Sequence, residues 1–187
     1  MRTFIAVELE PGVRGPLVKL LRSLPADRDV RWCTEHQLHV TLKFLGEVRD
    51  TDVPRVCEAA AAASRQVEPF TIRIRGLGCF PSPHSPRVLW CGVDDPAGGC
   101  KRWVELADPL FDALGFPPEQ RAFTPHITLG RLRGPGGGRV FQRVLETAAP
   151  PQTPEMQATH VTVFESRLLP TGAQYKVVTT AALGAGE

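Results

Sequence analysis

The sequence predicts an α+β fold of two pseudo-symmetric lobes facing each other across a groove. Three observations carry this expectation. Stretches with strand periodicity alternate with stretches of helical periodicity, and the connections between them are short and rich in proline and glycine. One strand–helix–strand unit also occurs twice. "HVTLKFLGEV", a helix and "FTIRIRGLGCF" are echoed by "HITLGRLRG", a helix and "THVTVFESRL". The period exceeds that of a solenoid, so two facing lobes are expected rather than a stacked array. A chain of 187 residues suits one domain of two lobes spanning 1–187.

The elements follow in order. "TFIAVEL" (3–9) reads as a strand, and 12–24 as a helix with Leu17, Leu20, Leu21 and Leu24 at helical spacing. "VRWC" and "LHVTLKFLGEV" are strands. Residues 51–66 form a helix that opens at Thr51 or Asp52, with Pro54 in its first turn. "FTIRIRGLGCF" (70–80) alternates strongly, and "RVLWCGV" (87–93) is the next strand. A helix over 98–115 is stopped by Gly115 and the Pro117–Pro118 pair, with Pro109 a possible kink. "HITLGRL" is a strand and 139–148 a helix, and strands over 156–169 and 174–183 close the chain.

Composition excludes several classes. A formal net charge of +2 is too small to argue by itself for a dedicated nucleic-acid binder, although local charge can still receive a modest anion. No apolar run approaches the roughly 20 residues of a membrane span. The N-terminal apolar stretch is too short for a signal peptide and closes on Glu8 and Glu10. Cys33, Cys57, Cys79, Cys91 and Cys100 are odd in number and lack paired metal spacing. They read as reduced thiols of a cytoplasmic protein.

The chemistry is carried by a repeated motif. His39 and His126 are each followed two positions later by a threonine, Thr41 and Thr128. On a strand each histidine points the same way as its threonine, about 6–7 Å along. Lobes related by a two-fold axis would aim two imidazoles and two hydroxyls into one cleft. Imidazole titrates near pH 6.5, so one ring can hold a proton while the other does not. Displacement at phosphorus places nucleophile and leaving group on opposite sides, which suits an acid facing a base. Threonine hydroxyls can hold the non-bridging oxygens. A ribose 2′,3′-cyclic phosphate, with a strained leaving bond, would need no metal and no covalent intermediate.

The motifs "HVTLKFLGE" and "TPHITLGR", with "RTFIAVEL" and "PRVLW", resemble the two signatures of the 2H phosphoesterase superfamily. Within it the chain is similar to the bacterial RNA 2′,3′-cyclic phosphodiesterases, also called 2′-5′ RNA ligases, over nearly its whole length. The resemblance implies two antiparallel sheets flanking a central cleft with helices outside. It also implies hydrolysis of an RNA terminal 2′,3′-cyclic phosphate to a 2′-phosphomonoester. His39 would be the proton donor to O3′, and His126 the proton acceptor that activates water. Thr41, Thr128 and Arg131, the last from "HxTLxR", would bind phosphate. No cofactor or metal is expected. The expected partners are RNA with a cyclic phosphate end and small cyclic nucleotides, met by a monomer away from membranes.

Other readings stay open at this stage. The same site could join a cyclic end to a 5′-hydroxyl as a 2′-5′ RNA ligase, or the fold could be a non-catalytic RNA-binding module. Strict alternation puts Arg131 on the face of Ile127 and Leu129, so only a bulge or strand end would turn it inward. Lys43 shares the face of His39 and reads as an exposed strand lysine or a phosphate contact. Phe44 and Trp90 read as core. His160, in "THVTV", is expected to be structural, and His36 and His84 to be solvated. Cys33, His36 and His39 have the wrong spacing for zinc on an extended segment. Arg73 and Arg75 are groove-lining or solvated.

Overall fold

The computed structural model describes residues 1–169 and 172–184. The strands are β1 (Arg2–Glu8), β2 (Val30–Trp32), β3 (His39–Glu47), β4 (Phe70–Phe80), β5 (Val88–Asp94), β6 (His126–Leu132), β7 (Met156–Ala158), β8 (His160–Leu169) and β9 (Gly172–Ala182). The helices are α1 (Pro11–Ser23), α2 (Val53–Ser64), α3 (Gly99–Asp112) and α4 (Gly137–Thr147). Proline in the first turn opens α1 and α2, where a missing N–H costs nothing. The Asp95 carboxylate accepts from the amides of Gly99 and Cys100 at 3.0 and 2.7 Å, satisfying two orphan donors at the start of α3. Pro109 lies inside that helix, which ends at Asp112, three residues before Gly115. The single strand expected over 156–169 is divided at Thr159 into β7 and β8.

All pairings are antiparallel. One sheet has the order β3-β1-β8-β9, and the other β2-β6-β5-β4-β7. The runs β3-β1-β8 and β6-β5-β4 correspond strand for strand, which is the duplication heard in the sequence. The two units also exchange strands. β4 follows the first motif but pairs in the second sheet, and β8 follows the second motif but pairs in the first.

A hydrophobic cluster draws on both sheets. Ile5, Val7, Val40, Val161 and Val163 come from one sheet, Ile72, Leu89, Cys91, Ile127 and Leu129 from the other. Leu17, Val56, Trp103, Phe111 and Phe141 reach it from the helices. Each such side chain contributes about 1.5–3 kcal/mol by leaving water. The buried Trp103 indole donates to the Ser64 hydroxyl at 2.9 Å, tying α3 to α2 without stranding a polar atom. On the other face of the first sheet Phe4, Ala6 and Phe164 pack with Tyr175. β1 is therefore buried on both faces, so "FIAV" runs apolar without alternating.

β3 departs from the expected alternation. Opposite β1, Ala6 pairs with Thr41 and Ile5 with Lys43, so Leu42 is an extra residue in the ladder. This bulge reverses the phase of Lys43 and Phe44, and a second one at Leu45, beyond which Gly46 pairs with Thr3, restores it. Lys43, read as an exposed strand lysine, turns to the core side and is only 3% exposed. Phe44, read as core, turns to the face of His39 and Thr41 and is 44% exposed. Among the described residues no helix is long and apolar enough to cross a membrane.

Candidate active site

His39 opens β3, opposite Glu8 of β1. Its Nε2 lies 3.0 Å from the Thr41 hydroxyl, so the i, i+2 geometry of the strand brings the motif's two polar groups into contact. The ring stacks on Phe4, centroids 4.8 Å apart, and meets the edge of Tyr175 at 5.3 Å. Burial among these rings pushes its pKa down to about 4, and the charges of Arg131 and His126 add to the effect against a hydrogen bond to the Gln37 backbone. At that value His39 is neutral at pH 7.

His126 opens β6 in the same way. Its Nδ1 lies 2.7 Å from the Thr124 carbonyl oxygen. A carbonyl only accepts, so Nδ1 carries the proton and Nε2 of the neutral ring keeps its lone pair. The ring stands edge-on to Phe80 at 4.9 Å and tilts against Trp90 at 6.1 Å. Burial again lowers its pKa, opposed by the Thr124 hydrogen bond and assisted by Arg131. Trp90, read as core, is half-buried beside this histidine. It lies across Gly78 on the neighbouring strand, where any Cβ would run into the indole.

The two histidines border one cleft with two ends. A trough of about 500 Å³ is lined by His39, Gln37, Tyr175, Arg2, Arg31 and Arg131, and a chamber of about 410 Å³ by His126, Thr124, Phe80 and Phe123. Thr41 and Phe44 line both. Thr128 lies opposite Trp90 and, by strand alternation, on the same face of β6 as His126. Between Trp90 and Leu89 the pairing partner jumps from Thr128 to Gly130, making Leu129 the extra residue. This is the bulge that strict alternation lacked, and it turns Arg131 to the side of His126 and Thr128. Arg131 then lines the trough and acts on the titration of both histidines.

Lys43 is not a phosphate contact. Its ammonium donates to the Asp108 carboxylate at 2.6 Å and to the Pro117 carbonyl at 3.2 Å. It thereby ties β3 to α3 and to the start of the loop that leads to Thr124 and His126. Phe4, Tyr175 and Phe80, which wall the histidines, escaped the sequence reading because apolar strand residues look alike whichever face they occupy. The alternation of Phe4 and Ala6 against Ile5 and Val7 was the available signal.

The remaining candidates lie elsewhere. His160 is exposed at the start of β8, beside the Thr159 hydroxyl at 2.7 Å. His36 and His84 are exposed. Arg73 pairs with Glu155, and Arg75 with Asp94 at 3.6 Å, both at the surface. Among the described residues no three His, Cys, Asp or Glu side chains are grouped as metal ligands. The five cysteines are free, and burial raises the Cys33 thiol to about 11 and Cys91 to about 12.

Two antiparallel sheets built from a repeated unit, with a motif of each repeat at one cleft, define a duplicated phosphoesterase architecture. The chain belongs to the LigT-like phosphoesterase family, whose model matches it twice, over residues 7–90 and 92–175. It is similar to the RNA 2′,3′-cyclic phosphodiesterase of Methanothermobacter thermautotrophicus, 34% identical over 94% of this chain and 95% of that one. The enzyme of the same name from Thermotoga maritima is 31% identical over 95% and 93%. Among solved structures, TT0787 of Thermus thermophilus superposes with a TM-score of 0.81 over the whole of both chains at 28% identity. Escherichia coli LigT complexed with 3′-AMP shares the fold at a TM-score of 0.79 and 24% identity, covering 97% of each chain.

Proposed function

We propose that this protein hydrolyses the 2′,3′-cyclic phosphate at an RNA terminus to a 2′-phosphomonoester, without a metal ion. The observation that carries the reading is the pair of half-buried imidazoles bordering one cleft, one with a tautomer fixed by a backbone carbonyl. The relatives named RNA 2′,3′-cyclic phosphodiesterase support the substrate class.

His126 Nε2 takes a proton from a water molecule as that water attacks phosphorus. The bond from phosphorus to O3′ breaks opposite the entering oxygen, and His39 delivers its proton to O3′. The phosphate stays on O2′, His126 ends protonated and His39 neutral, and solvent exchange restores the starting state. Thr41, Thr128 and Arg131 hold the non-bridging oxygens, where a fork-shaped cation suits two acceptors. The incoming anion raises the pKa of His39, so the ring takes up from solvent the proton that the free enzyme does not keep at pH 7. Acid–base catalysis of this kind contributes about 10²–10⁴-fold.

A second reading is favoured by the chamber beside His126. About 410 Å³ is far more than the roughly 30 Å³ share of one water, and it leaves room for a 5′-hydroxyl nucleoside to attack instead, giving a 2′-5′ linkage. The decisive experiment incubates the protein with 2′,3′-cyclic AMP in EDTA and identifies the product. The expected product is 2′-AMP at an undiminished rate. Exclusive 3′-AMP would reverse the polarity, and loss of turnover with chelator would end the metal-free mechanism. Offering a 5′-hydroxyl oligonucleotide in the same assay measures the share of ligation.

A further inference from the structure

The two ends of the cleft differ in charge. The chamber on the His126 side is balanced, with Lys43, Lys101 and Arg121 against Glu105, Asp108 and Glu119. The trough on the His39 side has Arg2, Arg31 and Arg131 and no carboxylate in its lining. Arg31 and Arg131 sit directly opposite each other across the β2–β6 ladder. Like charges in that position cost stability, and a protein commonly relieves them with an acid. Here, among the described residues, none of the three arginines makes an ion pair. The Arg2 guanidinium is held 4.9 Å from the centre of the Phe44 ring, where trough and chamber meet.

The chemistry fixes which part of a substrate lies on this side. His39 serves O3′, so the ribose bearing the cyclic phosphate extends from His39 rather than from His126. The same ribose carries, through its 5′ oxygen, the next phosphodiester of an RNA chain. We propose that Arg2 and Arg31 form a subsite for the internucleotide phosphate immediately 5′ of the cyclic end, with Arg131 shared between that phosphate and the reacting one. An anion between Arg31 and Arg131 converts a repulsive pair into two charge-assisted contacts. The protein is then an enzyme of oligonucleotide ends rather than of cyclic mononucleotides. The inference rests on the proposed function, and specifically on His39 serving O3′.

The test compares 2′,3′-cyclic AMP, which has no upstream phosphate, with an adenosine trinucleotide ending in a 2′,3′-cyclic phosphate. Wild-type kcat/KM should favour the trinucleotide by at least about tenfold, the worth of one hydrogen bond to a charged group. That advantage should fall with KCl at a logarithmic slope of about −0.7, the value for one neutralised phosphate on a single strand. R2Q and R31Q should each remove about tenfold from the trinucleotide reaction and leave 2′,3′-cyclic AMP turnover within about twofold. Retained mononucleotide turnover also shows that the variants fold. Equal rates on both substrates in the wild type would overturn the subsite alone. So would equal losses on both substrates in R31Q, or an advantage erased by K101Q and R121Q on the His126 side instead. No turnover of either substrate by the wild type would remove the proposed function, and this subsite with it.

Discussion

The Nδ1 of His126 donates to the carbonyl of Thr124, two residues before it, at 2.7 Å. That contact leaves Nε2 as the base of the proposed mechanism, and it can be preserved while Nε2 is removed. In H126N the amide nitrogen occupies the place of Nδ1 and keeps the Thr124 contact, but nothing replaces Nε2. The variant should melt with the wild type and lose about 10²–10⁴-fold in kcat. H39A should lose a similar factor. Full activity in either variant, with the fold confirmed by circular dichroism, would exclude the acid–base pair.

The pH dependence follows from the direction of both shifts. In the proposed mechanism the productive state has His39 protonated and His126 neutral, while burial lowers both rings and takes His39 to about 4 in the free enzyme. Activity on free enzyme therefore falls as pH rises through that lowered range. The alkaline limb of kcat/KM should lie below the ordinary histidine value near 6.5. Bound phosphate favours the protonated ring, so the limb of kcat should lie higher than that of kcat/KM. Arg131 lowers both histidines, so R131Q should move the kcat/KM limb upward while weakening binding. An alkaline limb above 6.5, unmoved in R131Q, would contradict the electrostatics. The rings interact, and the limbs belong to the pair rather than to either residue.

Lys43 and Asp108 form an ion pair whose ammonium is almost wholly out of water. D108N strands that charge with the Pro117 carbonyl as its remaining partner, and should cost about 3 kcal/mol in urea unfolding. Replacing both partners by apolar residues, as in K43M/D108L, should recover much of the loss. A D108N variant as stable as the wild type would show that the pair holds nothing in place.

Gly78 leaves the space that Trp90 fills. G78A forces the indole to shift, and the indole packs against His126. Overpacking of this kind costs about 1–3 kcal/mol, and the expected signature is lowered kcat with an altered tryptophan emission maximum. Unchanged emission would show that the indole had not moved.

The elements of this fold were legible because they obey local rules. The leucine spacing of α1, the first-turn Pro54 of α2 and the alternation of β4 all follow from backbone chemistry that a short window contains. The repeated histidine–threonine motif was legible for the same reason. What the sequence hid is what two β-bulges changed. A single extra residue at Leu42 exchanged the environments of Lys43 and Phe44, and another at Leu129 turned Arg131 into the cleft. Neither bulge is marked by a glycine at the inserted position, because each depends on how the neighbouring strand pulls the ladder. The carboxylate awaiting Lys43 was equally hidden, since Asp108 lies 65 residues away on another element.

The exchange of β4 and β8 between the sheets has a consequence for how such a molecule can be taken apart. A break near Ser85, between β4 and β5, would give one fragment holding His39 without β8, the strand that flanks β1, and another holding His126 without β4, the strand that flanks β5. Each would expose a raw sheet edge complementary to the missing piece. Coexpressed halves should therefore reassociate into a working enzyme, whereas either half alone should aggregate, so the two histidines are inherited and lost together.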